Sequence, residues 1–171
     1  MAMPVPPYPS EALRKESREL TPEEFGADLK ALVEEMVETM YETEGVGLAA
    51  PQVGRNIRLF VYDISPDRND PHALANPRIL EKSGAEVMEE GCLSVPGLRG
   101  KVRRAARVVV EGQDLEGNPV RLEAEGLGAR VFQHEIDHLD AVLFCDRLSA
   151  AKRLLVRRHL RKMEEKALDT E

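Results

Sequence analysis

The run Gln133-His134-Glu135-Ile136-Asp137-His138 constrains this chain more than any other segment, because its chemistry exists only if the segment is helical. Four residues advance an α-helix by about one turn, so His134 and His138 then project from one face and their ring nitrogens can converge on one ion. Glu135 stands beside that ion without ligating it. A bound divalent cation lowers the pKa of its water towards about 7, and a neighbouring carboxylate takes the remaining proton as hydroxide attacks a carbonyl. The competing reading is two surface histidines on an amphipathic helix, and a third ligand decides between the two.

The continuations of H-E-x-x-H can be tested in turn. A metzincin carries Gly and His at fixed offsets after the second histidine, where this chain has Ala141 and Phe144. Thermolysin-like enzymes use a downstream glutamate, and after Asp146 the first acids are Glu164 and Glu165, near the end of a basic segment, which is a poor fit. Upstream, Glu89-Glu90-Gly91-Cys92-Leu93-Ser94-Val95-Pro96-Gly97 places a thiol in a short apolar stretch that reads as strand-like. Cys92 is therefore the candidate third ligand. A Cys-His-His set with water in the fourth position is a catalytic arrangement, and metal binding holds the sulfur as thiolate.

Elsewhere the sequence predicts an α+β fold. Thr21-Pro22-Glu23-Glu24 supplies an N-cap, a first-turn proline and a capping-box acid, and Leu29, Leu32, Met36 and Met40, widened by Val33 and Val37, form an apolar stripe that Gly45 stops. Met36 and Met40 read as core. Ile57 to Ile64 is strand-like, Leu74 to Pro77 is a second short strand, and Arg107 to Asp114 with Val120 to Ala124 brackets Glu116-Gly117-Asn118-Pro119 as a hairpin. A terminal helix begins after Ser149, with Val156, Leu160, Met163 and Ala167 as its stripe. Mostly antiparallel strands thus pack around the motif-bearing helix, flanked by helices at both ends, in a single domain over residues 1–171.

Gly45-Val46-Gly47 follows a helix, not a strand, and lacks a P-loop lysine, so nucleotide binding is set aside. The better use of two glycines is close backbone approach, which lets an extended peptide pair with main-chain groups beside the metal. Cys145, His72 and His159 read as a buried apolar thiol and two solvent-facing side chains, and Asp137 as a local salt-bridge or supporting residue.

Three segments together, Gly45-Val-Gly-Leu-Ala-Ala-Pro-Gln-Val-Gly54, Glu90-Gly-Cys-Leu-Ser-Val-Pro96 and Gln133-His-Glu-Ile-Asp-His-Leu139, make the chain similar to the bacterial peptide deformylases in motif order and length. The resemblance implies metal-dependent hydrolysis of the N-formyl group from the formylmethionine of nascent polypeptides, releasing formate. It implies Cys92, His134 and His138 as ligands of one divalent ion, Fe2+ in preference to Zn2+, Ni2+ or Co2+. It implies Glu135 as proton carrier, Gln52 and the Leu93 N–H as donors to the oxyanion, and Gly45, Val46 and Gly47 along the peptide path. Arg99, Arg130 and Val131 map near the methionine pocket, Arg130 by its alkyl stem with its charged head in water. The chain departs from the pattern at Ala141, where relatives commonly have glycine, which concerns local backbone geometry and not the ligands.

Two distant cysteines make no disulfide framework, and the opening Met-Ala-Met-Pro-Val-Pro-Pro-Tyr-Pro lacks the regions of an export signal, so a cytoplasmic monomer is expected, without a membrane segment. A net charge of −7 argues against nonspecific nucleic-acid binding by the whole molecule. Charge is uneven, however: seven Lys or Arg and no acid fall between Arg147 and Met163. That run is either a solvated face or a docking surface for ribosomal RNA, and the resemblance makes the second plausible. A metallopeptidase and a noncatalytic ribosome-binding protein are the alternative classes; the second leaves Glu135 and Gln52 without a purpose.

Overall fold

The apolar stripe of the first helix is realised in the computed structural model, which describes residues 2–169: Leu29, Leu32, Val33, Met36 and Met40 form the buried face of α1 (Ala27–Glu42). The helix starts later than its capping signal predicts. Thr21-Pro22-Glu23-Glu24 builds a separate 3₁₀ turn, Pro22–Glu24, in which the Glu24 carboxylate accepts the Thr21 N–H at 3.0 Å and also pairs with Arg18. Extended backbone at Gly26 then re-aims the chain into α1.

Seven strands follow the expected α+β plan: β1 (Gly47–Ala49), β2 (Leu59–Tyr62), β3 (His72–Ser83), β4 (Glu86–Gly91), β5 (Arg99–Arg104), β6 (Arg107–Gln113) and β7 (Pro119–Glu125). A five-stranded antiparallel sheet has the order β1-β2-β3-β6-β7, and β4 and β5 form a separate hairpin. All four residues of β2 are buried because alternate side chains leave on opposite faces. Leu59 and Val61 join the α1 side of the core, and Phe60 and Tyr62 join the side covered by α2 (Gly126–Leu139).

Two strand readings need correction. The strand expected over Ile57 to Ile64 is regular only from Leu59 to Tyr62, with Ile57 in an isolated parallel bridge to Arg18. The short strand expected at Leu74 to Pro77 lies in the first half of the twelve-residue β3, whose second half, residues 78–83, is mostly exposed and has Ile79 alone packed on the core. Register shifts between Ala75 and Arg78 accommodate Pro77, which has no N–H for the ladder. The left-handed Asn76 beside it (φ 48°) is held by bonds to both main-chain groups of Leu20 and to Gln113. The β6–β7 hairpin forms as expected, turning at Gly117 with φ 85°.

Cys92 does not lie in a strand. β4 ends at Gly91, and the following turn, in which Val95 N–H returns to Cys92 C=O at 3.1 Å, frees the sulfur from any sheet face. After α2 the chain reverses through Ala141, whose N–H reaches His138 C=O at 3.2 Å while Val142 N–H reaches Asp137 C=O at 2.8 Å. This is a Schellman termination with alanine in the left-handed position at φ 62°. The terminal helix α3 (Ala150–Asp169) starts where expected, and Val156, Leu160 and Met163 pack on a core cluster that includes Leu13, Val102, Phe144 and Cys145. Burial pushes the Cys145 thiol up to about 11, as suits an apolar core residue. Among the described residues no helix is long and apolar enough to cross a membrane.

Candidate metal centre and peptide cleft

The helical period of α2 turns His134 and His138 to one side, with ring centroids 5.0 Å apart, and the turn after β4 brings Cys92 to meet them. One ligand atom from each of the three lies within 4.8 Å of the others, and Cys92 Sγ stands 3.4 Å from His138 Nε2. Burial alone would keep the Cys92 thiol protonated, but the positive fields of His138 and His134 draw its pKa well below the ordinary thiol value. Burial likewise disfavours charge on His134, while Cys92 and Glu90 hold its pKa up, at about 10. A divalent cation replaces the proton shared in such a thiolate–imidazole cluster. His134 Nδ1 is engaged by Glu90 Oε1 at 3.0 Å, leaving its other ring nitrogen for the ion, so the donor set fits one thiophilic, imidazole-accepting metal.

Glu135 lies beside the cluster, 3% exposed, and its carboxyl pKa is raised, chiefly by burial, against the pull of the two histidines. Gly47 is pressed against it: a Cβ there would come 2.9 Å from Glu135 Oε2. Gln52 approaches from a 3₁₀ turn, Ala50–Val53, with its amide fixed at both ends. Its Oε1 accepts the Ala49 N–H at 2.9 Å, and its Nε2 donates to Ser94 Oγ at 3.0 Å and points at Cys92 Sγ at 3.5 Å.

These groups open onto a cavity of about 760 Å³. Cys92, His134, Glu135, Gln52 and Leu93 line it, as do Gly45, Val46, Gly47, Arg99, Arg130 and Val131; His138 sits behind, 1% exposed. The expectation that the Arg130 head reaches water is wrong. Arg130 is 7% exposed, and its guanidinium is held inside by Glu90 and by the carbonyls of Val102 (3.2 Å) and Glu86 (2.9 Å). Buried in this way, the head is neutralised by a partner that sequence spacing does not reveal.

Glu90 is the centre of a buried ionic network that the sequence reading did not identify. Arg104 grips it in two-pronged fashion at 2.6 and 2.9 Å and extends to Asp137 at 2.9 Å, which Arg147 also clasps. Asp137 thus makes the salt bridges expected of it. Ser94, fully buried against Gln52, was also missed; its place two residues after Cys92 was the available signal. His72 and His159 stay outside the cavity: His72, exposed, stacks on Tyr62 and pairs with Asp70, and His159 Nε2 meets Pro96 C=O at 3.1 Å.

Comparison with known proteins gives the same arrangement a family. The profile of the family described as Polypeptide deformylase matches residues 2–154. A peptide deformylase from Acidobacterium capsulatum is 48% identical over 166 residues, covering 96% of each chain, and one from Thermotoga maritima is 50% identical over 149 residues, covering 86% of this chain and 88% of its own. The crystal structure of a Legionella pneumophila peptide deformylase superposes with a TM-score of 0.87 at 41% identity over 98% of both chains. That of Arabidopsis thaliana peptide deformylase 1B bound to an inhibitor gives 0.92 at 36% identity, covering 98% of this chain and 93% of the other. With its motifs folded around one cleft and its length matched by these relatives, the chain belongs to the peptide deformylase family, hydrolases that remove the N-formyl group from nascent peptides.

Proposed function

We propose that the whole chain is one catalytic domain that hydrolyses formyl-methionyl peptides with a divalent metal held by Cys92, His134 and His138. The observation that carries this reading is the convergence of those three ligand atoms beside a buried carboxylate whose proton affinity is raised. Cys92, His134 and His138 would hold the ion, which when bound would supply Lewis acidity to water and to the formyl oxygen. Glu135 accepts the proton of the attacking water and delivers it to the leaving amine. Gln52 Nε2 and the Leu93 N–H donate to the oxygen that becomes negative, each such donor being worth about 3 kcal/mol of barrier. Because the Gln52 amide is already held by Ala49 and Ser94, little reorganisation accompanies the attack. Gly45, Val46 and Gly47 align the peptide main chain, and Val131 with the stems of Arg99 and Arg130 faces the methionine side chain.

Fe2+ is the proposed ion, with Zn2+ replacing it on aerobic handling and Ni2+ or Co2+ also accepted by a thiolate–imidazole set. The proposed setting is the cytoplasm, as a monomer near the ribosome, with α3 as the docking element. Anaerobic purification, metal analysis and a formate-release assay on a formyl-Met peptide test the reading together. One metal per chain with formate release is expected; a metal-free protein, or cleavage of internal peptide bonds instead, overturns it. Glu135→Ala should keep its metal while losing about a thousandfold in kcat. Normal turnover in that fully metallated variant removes Glu135 from the proton path.

A further inference from the structure

The cleft's peptide-facing edge carries a device outside the three motifs. β1 is the edge strand of the large sheet, and Asp63 N–H donates to Val46 C=O at 3.0 Å, extending the β1–β2 ladder one residue before Gly47. In an antiparallel ladder, successive residues turn their main-chain groups alternately towards and away from the partner strand. With Val46 turned to β2, the N–H and C=O of Gly47 face the cavity that Gly47 lines, where an extended peptide can pair with them.

At Val46 the chain bends, so that a Cβ on Gly45 would lie 3.4 Å from the Gly47 C=O, and the bend is tied down at the Gly45 C=O. Arg68 Nη2 donates to it, while Arg68 Nη1 holds Asp63 C=O at 3.0 Å. The guanidinium also lies over the Tyr41 ring, 5.5 Å from its centroid. Its own backbone is left-handed, at φ 56°, an unfavourable conformation for arginine that the surroundings must maintain. They do so through Asp63, which is fully buried. Its carboxylate accepts the Tyr41 hydroxyl, both the N–H and hydroxyl of Ser65, and the Asp70 N–H. The loop between β2 and β3 is thus closed on one carboxylate and delivers one guanidinium to the peptide-facing segment.

We propose that Arg68 is a positioning residue that ties Gly45 C=O to Asp63 C=O and so holds the bend before β1, fixing how Gly47 presents its main-chain groups to an extended substrate. The bridge holds Gly45-Val46-Gly47 in its pairing conformation before substrate arrives, which lowers the ordering cost of binding. The benefit is confined to substrates long enough to pair with the edge.

The inference rests on the formyl-peptide reading and is tested by the ratio of kcat/KM for a formyl-Met tripeptide to kcat/KM for formyl-Met alone. Arg68→Ala should lower that ratio by about tenfold, as expected for loss of one charge-assisted hydrogen bond, through a raised tripeptide KM. Formyl-Met turnover should stay within about twofold, since it has no downstream amides to align. Arg68→Lys, able to reach Gly45 but not Gly45 and Asp63 together, should fall between, and it serves also if the alanine variant does not fold. An unchanged ratio, or equal losses on both substrates, overturns the positioning role while parental turnover leaves the function standing. A parent that releases no formate from either substrate overturns both.

Discussion

A single methyl group separates working from obstructed geometry at Gly47. Its α-carbon is so close to the Glu135 carboxylate that a Cβ would sit 2.9 Å from Oε2 and 3.0 Å from Cδ, distances real side chains do not tolerate. Gly47→Ala should therefore rotate or displace Glu135 and lower kcat by about a hundredfold while leaving metal content unchanged. Steady-state kinetics with metal analysis checks this, and wild-type kcat in the variant would show that the carboxylate has room to move. Ala141 presents the reverse case. It occupies the left-handed position of the α2 termination at φ 62°, where a Cβ costs about 1–2 kcal/mol and glycine does not. Ala141→Gly should raise stability by roughly 0.5–1 kcal/mol, after allowing for the greater freedom glycine gives the unfolded chain, with turnover unaltered. Urea unfolding of the two metal-free proteins measures it; a destabilised variant would mean the alanine methyl makes packing contacts that outweigh the strain.

Elements whose residues answer to local rules were legible, and those whose residues answer to distant partners were not. His134, Glu135 and His138 are related by helical period alone, and the β6–β7 hairpin is announced by turn chemistry at Gly117. The β4–β5 hairpin escaped because its inward positions on β5 are Gly100, Val102 and Arg104, a pattern with one aliphatic residue and a charge. Arg104 is inside only because Glu90 and Asp137, from β4 and α2, are there to meet it, and the same Glu90 turns the Arg130 head inward. The network predicts a pH dependence. Burial pushes the Glu90 carboxyl up, but His134 and Arg104 bring it down to about 2, below its unfolded value. A lowered native pKa stabilises fully above the ordinary carboxylate range, and that contribution disappears as pH falls from about 4 towards 2. Glu90→Gln should cost about 3 kcal/mol at neutral pH by leaving two buried guanidinium groups short of charge. It should also flatten the acid limb of stability in the metal-free protein. Parallel acid limbs for parent and variant, followed by circular dichroism, would place the acid sensitivity elsewhere.

At the scale of the whole molecule, a chain of net charge −7 concentrates seven of its 24 Lys and Arg residues in the terminal helix. Only the Val156, Leu160 and Met163 side of α3 is packed, against the cluster around Phe144, and Arg153, Arg157 and Arg161 are exposed along its length. Acidic residues dominate elsewhere, including Glu34, Glu35 and Glu42 on the solvent side of α1. A polyanion would therefore be repelled by most of the surface and attracted by this element, which orients an approaching molecule as well as holding it. The helix that carries His134 and His138 is anchored through Glu90 and Asp137, independently of the exposed arginines. Replacing Arg153, Arg157 and Arg161 with Gln keeps the apolar stripe and the helix-forming character of each position. The triple variant should bind ribosomes more weakly, and its log affinity should fall less steeply with log salt because fewer phosphate counterions are released on binding. Hydrolysis of a short free formyl-peptide should be unchanged, since none of the three lines the cleft. Ribosome co-sedimentation across a salt titration, run beside the free-peptide assay, separates targeting from chemistry. Equal binding by parent and variant at every salt concentration would make the basic face of α3 a solvated surface with no docking role.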